Sequence, residues 1–295
     1  MSVGFQQRER CPLCGSSNNR LLCDIPYSDQ RLANYIEQFY CGRVALQSLQ
    51  SASYRVALCE DCEFVYQDSI LDERGMQTLY EDWIDQEQSL QRKQTANSQR
   101  YRQYAGQIQT LAGLLNQRPD QSRILDYGMG WGYWSRMAQA HGFDVVGFEL
   151  SKQRSDYARQ MGVTVIDALP ASLAGFDCVY ANQVFEHLPD PMQALMDICQ
   201  QLKPEGIVYI RVPDGRGVVA RLEQRGWSPE LPELGAIHPL EHINCFTRRT
   251  LLSFAAKAGL KPFNPPLRLN WDSLWSGIRR EVTDRLLTTH LFLRR

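Results

Sequence analysis

From Arg123 onward the chain alternates apolar runs of strand length with segments whose apolar residues recur at helical spacing. The predicted strands are Ile124 to Tyr127, Val145 to Phe148, Val163 to Ile166, Cys178 to Ala181 and Ile207 to Val212. Helices are predicted to begin near Tyr133, Ser151 and Pro191, the last with Asp190 as N-cap and proline at its first position. Lys203-Pro204-Glu205-Gly206 reads as a helix stop that turns the chain into the next strand. Alternating β and α units imply an α/β fold, with a mostly parallel sheet covered on both faces. A further helix is expected between a Thr247 cap and a stop at Gly259.

Upstream the texture differs. Between Asp72 and Gln117 apolar residues are sparse and helically spaced (Leu79, Trp83, Tyr104, Ile108, Leu111, Leu115), which predicts one or two connecting helices. From Cys11 to Gln67 turns dominate, and only Gln30 to Phe39 has helical periodicity. This predicts a small module stapled by something other than a large core. The expected organisation is a module over 1–70, connecting helices over 71–120, an α/β domain over 121–262 and a tail over 263–295.

Composition narrows the function classes. With 43% hydrophobic and 22% charged residues the chain is an ordinary folded protein, so its disorder-prone reading is set aside. Lys+Arg total 32 and Asp+Glu 33, a net charge of -1, so no global field draws it to nucleic acid or an anionic membrane. The start MSVGFQQRER has no apolar leader, and no run approaches the roughly 18 apolar residues of a spanning helix, so a cytoplasmic location is expected. In that compartment the 9 cysteines are expected to be mostly reduced, and their odd number also argues against complete pairing.

Cys11-Pro-Leu-Cys14 and Cys59-Glu-Asp-Cys62 are two CxxC knuckles. Each can present two thiolates, and together they complete a closed tetrahedral zinc site with no open position, hence a structural one. The alternative is a redox pair, which normally opens a helix after a strand and occurs once. Cys23, Cys41, Cys178, Cys199 and Cys245 lack such spacing and are expected to be buried thiols.

The segment Ile124-Leu-Asp-Tyr-Gly-Met-Gly-Trp-Gly ends a strand at Asp126 and turns through Gly128, Gly130 and Gly132 into a helix. Such a turn lets a nucleotide-like ligand approach the backbone at a helix N-terminus. A dinucleotide fingerprint would place glycine where Tyr133 stands, which disfavours a nicotinamide oxidoreductase. Glu149 follows the loop at the offset expected of a ribose-binding acid. Trp131 is a bulky residue inside the turn, expected to cover a ligand or to pack on the sheet.

Asp-x-Gly-x-Gly-x-Gly resembles motif I of class I S-adenosylmethionine-dependent methyltransferases. The resemblance continues through Val-Val-Gly-Phe-Glu149-Leu150-Ser, Val163-Thr-Val-Ile-Asp167, Phe176 to Pro191 and Leu202-Lys-Pro-Glu-Gly. It implies a Rossmann-like, mostly parallel seven-stranded sheet that binds S-adenosylmethionine. In that family the acid matching Glu149, next to Leu150, holds the ribose hydroxyls. The acid matching Asp167 accepts from the adenine amine, with the backbone of Ala168 at a ring nitrogen. Asp126 and Asn182 complete the implied cofactor set. The four-cysteine segment, the Leu-Tyr-Glu-Asp-Trp stretch and this core together resemble the sugar C-methyltransferases of deoxysugar biosynthesis, without their C-terminal domain.

Ligands of open α/β sheets bind beyond the carboxyl ends of the strands. Asn182, Gln183, Glu186 and His187 are expected there, with Asp214 and the stretch His238-Pro-Leu-Glu-His242-Ile-Asn-Cys-Phe-Thr. His187, His238 and His242 are the candidate catalytic groups, since methyl transfer needs alignment and sometimes a base. Pocket lining or a structural cap are the alternatives for His187. His238, Glu241 and His242 also spell H-x-x-E-H, but Pro239 interrupts the helix that a metallopeptidase needs. The region from Trp271 to Arg295 interleaves Trp and Arg, and is expected to form an amphipathic helix rather than a nucleic-acid contact.

The expected activity is methyl transfer from S-adenosylmethionine to an O or C atom of a small-molecule acceptor, by a monomer or homodimer without membrane or nucleic-acid partners. An RNA or protein methyltransferase and a non-catalytic binding protein are the rivals.

Overall fold

A computed structural model describes residues 3–170, 173–263 and 288–295. The strands are β1 (Phe5–Gln7), β2 (Asn19–Pro26), β3 (Ser53–Cys59), β4 (Val65–Gln67), β5 (Ser69–Leu71), β6 (Arg123–Tyr127), β7 (Asp144–Phe148), β8 (Thr164–Ile166), β9 (Phe176–Asn182), β10 (Leu202–Pro213), β11 (Asn244–Cys245), β12 (Lys261–Phe263) and β13 (Thr288–Arg294). The helices are α1 (Gln30–Phe39), α2 (Glu73–Thr78), α3 (Gln86–Gln94), α4 (Ser98–Leu115), α5 (Tyr133–Ala140), α6 (Lys152–Gln160), α7 (Pro191–Gln201), α8 (Val218–Arg225) and α9 (Arg248–Lys257). Trp271, Trp275, Arg279, Arg280 and Arg285 of the expected tail lie outside the described residues. Among the described residues, no helix is long and apolar enough to cross a membrane.

The chain divides into two compact units. One comprises Leu90–Val184, Gln193–Val212 and Phe254–Arg295. Its 7-stranded sheet has the order β12-β13-β10-β9-β6-β7-β8. The ladders joining β10, β9, β6, β7 and β8 are all parallel, whereas β12 and β13 pair antiparallel. The sheet is thus mostly parallel, as expected, but mixed at one edge. Its strands are laid down outward from β6 to β8, and then on the other side from β9 to β10. This reversal puts a topological switch point between β6 and β9, where open α/β sheets bind ligands.

One face of that sheet is built on stacked rings. Trp134 of α5 lies flat on Tyr180 of β9 at 3.8 Å and 6°, and Tyr180 lies on Tyr209 of β10 at 5.1 Å and 5°. The Tyr180 hydroxyl donates to Gln107 of α4 at 2.9 Å, which satisfies a polar tip inside an apolar layer. The Lys203-Pro204-Glu205-Gly206 tetrapeptide, expected as a turn, lies within β10, and the register shifts between Leu202 and Ile207. Proline has no N–H for the ladder, so the strand accommodates it as an irregularity. Thr247 and Thr250 at the start of α9 cap each other's backbone N–H (2.9 and 3.2 Å), and Gly259 follows the helix at φ +74°.

The other unit comprises Met1–Ser89, Phe185–Met192 and Pro213–Ser253. It holds the sheet β11-β4-β3-β2 and the antiparallel pair β1-β5. Helix α1 forms where periodicity predicts it, and the Asp29 carboxylate accepts from the N–H groups of Arg31 (2.9 Å) and Leu32 (3.3 Å). The expectation of a module without a large core needs correction. Leu32, Ile36, Tyr54 and Val56 are fully buried in one cluster with Val218, Leu222, Trp227, Ile237 and Leu240. At roughly 1.5–3 kcal/mol per buried large apolar side chain, this is a substantial core. It is supplied from distant chain, which turn-rich local sequence does not reveal. The stretch 213–253, expected inside the α/β domain, belongs to this unit.

Candidate active site and metal centre

In the α/β unit, Gly128, Gly130 and Gly132 all have left-handed backbones, at φ +72°, +57° and +73°. At Gly128 a Cβ would lie 2.6 Å from Val184, so both conformation and space require glycine. The turn is tied to β7, since the N–H groups of Gly128 and Met129 donate to the Phe148 carbonyl at 2.9 and 3.1 Å. Gly147 in β7 is tight in space alone: a Cβ there would lie 2.1 Å from the Met129 sulfur, so that side chain would have to shift. Trp131 is buried, edge-on to Tyr157 of α6 at 5.4 Å, with the Arg154 guanidinium 5.9 Å from its ring.

Glu149, just beyond β7, accepts from Gly130 N–H through Oε2 and from Ser151 N–H through Oε1, each at 2.9 Å. Its carboxylate is thereby fixed between the glycine turn and the start of α6, with a further lone pair on each oxygen for a ligand hydroxyl. Leu150 beside it is 73% exposed, an apolar surface at the strand end that the fold itself does not use. Asp167 and Ala168 follow β8 and are exposed. These residues follow neighbouring parallel strands, so their shared edge is a consequence of register.

Asp126 is buried and its Oδ2 accepts from the Ser135 hydroxyl at 2.5 Å. Burial raises its pKa to about 7; the Ser135 bond opposes that rise, and the Glu149 charge adds to it. Asn182 ends β9 opposite Arg211 of β10, whose guanidinium donates to its Oδ1 at 3.3 Å. Ser135 and Arg211 were not singled out by sequence. Ser135 could have been found from its place in the first turn of the helix that follows the glycines, whereas Arg211 reads locally as one polar residue in a strand.

In the other unit the Cys11, Cys14, Cys59 and Cys62 sulfurs lie within 4.8 Å of one another. Cys11–Cys62 and Cys14–Cys59 are separated by 3.6 and 3.5 Å. The knuckles are matched turns: Gly15 N–H donates to Cys11 O and Glu63 N–H to Cys59 O, each at 2.8 Å, with Gly15 at φ +75° and Glu63 at φ +61°. Burial raises the Cys59 thiol to about 11, and the Cys11 neighbour first, then burial, raise Cys62. A cation among them would reverse that direction. Of the remaining cysteines, Cys178, Cys199 and Cys245 are buried as expected, but Cys41 is exposed.

The same unit gathers the candidate catalytic histidines. The ring of His242 lies 4.7 Å from that of His187 and 4.9 Å from that of His238. His187 Nδ1 meets Glu241 O at 3.1 Å, His238 Nδ1 meets Pro239 O at 2.9 Å and His242 Nδ1 meets Gly235 O at 2.6 Å. A carbonyl only accepts, so in each ring Nδ1 carries the proton and Nε2 keeps a lone pair when the imidazole is neutral. Burial lowers both His238 and His242 to about 4. His238 and His242 form an antiparallel bridge, and β11 pairs with β4. The stretch is therefore a bridged turn and not a peptidase helix. Gln67 holds it by donating to the carbonyls of His238 (2.9 Å) and His242 (3.0 Å).

Arg8 is a structural residue that sequence gave no reason to notice. Its guanidinium donates to Gln67 O at 2.8 Å, Asn244 Oδ1 at 2.8 Å and Ile243 O at 2.7 Å, and lies 5.2 Å from the Tyr66 ring. Desolvation lowers its pKa to about 10.

Fold, switch point and glycine turn define the class as an open α/β sheet with a ligand-binding turn at its carboxyl edge. A family model described as "Methyltransferase domain" matches residues 96–263, and the chain belongs to that family. The ubiquinone biosynthesis O-methyltransferase of Bordetella avium is 33% identical over 178 residues, 52% of this chain and 67% of that protein. The biotin biosynthesis bifunctional protein BioHC of Cellvibrio japonicus is 27% identical over 150 residues, 48% of this chain and 28% of that protein. The ubiquinone biosynthesis O-methyltransferase of Idiomarina loihiensis is 28% identical over 128 residues, 37% of this chain and 51% of that protein. The chain thus spans between 28% and 67% of the length of these relatives. The plantazolicin methyltransferase BamL, solved with a desmethylPZN analog and SAH, is 14% identical with a TM-score of 0.49, covering 68% of this chain and 86% of that one.

Proposed function

We propose that the protein transfers the methyl group of S-adenosylmethionine to an O or C atom of a small-molecule acceptor, a sugar or another secondary metabolite. One observation carries this reading. The Glu149 carboxylate is fixed to the Gly130 N–H at the carboxyl edge of the sheet, in a chain of the methyltransferase family. Glu149 would take the two ribose hydroxyls, Leu150 one face of the adenine, and Asp167 with the Ala168 N–H its polar edge. Gly128, Gly130 and Gly132 give the methionyl part access to the backbone. Asp126 and Asn182 supply polarity around it, and an ionised Asp126 favours a cationic ligand. The relatives named for ubiquinone biosynthesis are O-methyltransferases, which supports transfer to oxygen.

His187, His238 and His242 carry Nε2 lone pairs of the kind that receives a proton from a hydroxyl or an activated carbon, and are the candidate bases. In-line displacement on the sulfonium methyl otherwise asks for alignment and exclusion of water. The thiols of Cys11, Cys14, Cys59 and Cys62 fit a structural zinc. With zinc–sulfur bonds of about 2.3 Å, a tetrahedron places its sulfurs about 3.8 Å apart, close to the spacing of the two sulfur pairs. Zinc would bind their thiolates and leave no open position for chemistry.

Calorimetry with S-adenosylmethionine and S-adenosylhomocysteine tests the cofactor assignment. Saturable binding of one molecule per chain is expected, with NAD silent; a protein indifferent to both compounds would refute the reading. Elemental analysis tests the zinc, with one equivalent lost in Cys11→Ser.

A further inference from the structure

We infer that Glu186, His187 and His242 form a second metal site, suited to a divalent first-row transition cation. The inference goes beyond the methyl-transfer reading and stands or falls without it. The three side chains each bring one donor atom, and these atoms all lie within 4.8 Å of one another. His187 Nε2 is 3.9 Å from a Glu186 carboxylate oxygen. A cation about 2.1 Å from each donor would draw them to roughly 3.0–3.4 Å apart, a shift of about 1 Å in side chains already converging.

Two further features fit metal binding. His187 and His242 each commit Nδ1–H to a backbone carbonyl, of Glu241 and Gly235. This is the bonding that orients metal-ligating imidazoles and leaves Nε2 for the ion. The ligand-bearing segments are also fastened together. Ile243 N–H donates to Glu186 O at 2.8 Å, and the Asn244 amide donates to Phe185 O at 2.9 Å and Leu188 O at 2.7 Å. A fully buried carboxylate beside two imidazole lone pairs is an electron-rich centre that a cation neutralises.

The donor set differs from the cysteine knuckles. Two nitrogens and a carboxylate suit manganese, iron, cobalt or zinc, and three protein ligands leave positions open for a ligand oxygen.

The test is a metal count. Full-length protein is saturated with Mn2+, freed of unbound ion by gel filtration, and assayed for total metal by elemental analysis. Wild type is expected to hold one equivalent more than either His187→Ala or His242→Ala, and Glu186→Gln to weaken Mn2+ binding at least tenfold. Melting curves confirm that each variant is folded, and a variant that unfolds is replaced by the matching His→Gln change. Equal counts in wild type and both histidine variants would overturn the site. Binding of S-adenosylhomocysteine, measured on the same samples, reports separately on the methyl-transfer reading.

Discussion

The glycine-loop unit and the cysteine-histidine unit place their chemistry in opposite ways. The first writes its site along one stretch, from Asp126 through Gly128, Gly130 and Gly132 to Glu149. There the strand-turn-helix-strand path itself brings Gly130 N–H to the Glu149 carboxylate. The second assembles its clusters from separate segments of chain: Cys11 with Cys62, and His187 with His242. Backbone geometry determines a local loop, whereas tertiary packing must hold a composite cluster, so mutations should damage the two in different currencies. Changes in the composite clusters should cost stability or metal first, whereas loss of a ligand-facing group beside the loop should cost affinity first and changes in its buried supports should cost stability and affinity together.

The largest expected effect lies in the cysteine cluster. Cys59→Ser should lose the metal and lower stability by at least about 3 kcal/mol, read as metal content and melting temperature. A metal-free variant that melts with the wild type would erase the contrast. Glu149→Ala should weaken S-adenosylhomocysteine binding by about 100-fold, roughly two charge-assisted hydrogen bonds, with a smaller loss of stability. Unchanged affinity would remove Glu149 from the site.

Gly147→Ala comes next, at about 1–3 kcal/mol, because the added Cβ forces Met129 of the glycine turn to move. Affinity should fall with it, and a well-bound, wild-type-stable variant would show that the turn is looser than described. The smallest effect is the pH dependence from Asp126. Its folded pKa, near 7, lies above the ordinary 3.8, so the native state holds this proton more tightly than the unfolded chain does. Its contribution to stability is therefore complete below about pH 4 and is lost as pH rises through about 7. Asp126→Asn should remove about 1–2 kcal/mol of that decline between about pH 5 and pH 7, measured by urea unfolding of the ligand-free protein. Parallel pH profiles for variant and wild type would place the ionisation elsewhere.

Much of the α/β unit is legible locally. The five predicted strands correspond to β6 through β10, and α5, α6 and α7 start where predicted. Apolar runs and glycine turns report burial and backbone conformation directly, which is why they read well. Lys203 to Gly206 reads wrongly because a proline-glycine pair signals a turn in isolation, while pairing with β9 absorbs it as an irregularity. The cysteine knuckles are legible because each CxxC is itself a short turn. Arg8, Ser135 and Arg211 are not, since one polar residue in a chain carries no sign of the carbonyls or side chains it will meet.

By itself the sequence determined the alternation of strands and helices, the glycine turn with Glu149 at its offset, and the two knuckles, all fixed by neighbours within a few tens of residues. Only the tertiary structure decided that residues 213–253 join the N-terminal chain in one core, that β12 and β13 close the sheet antiparallel, and that Glu186, His187 and His242 converge. The reason is physical. Local conformation answers to steric limits written into consecutive residues, while the meeting of distant segments answers to burial and hydrogen bonding that exist only once the whole chain has packed.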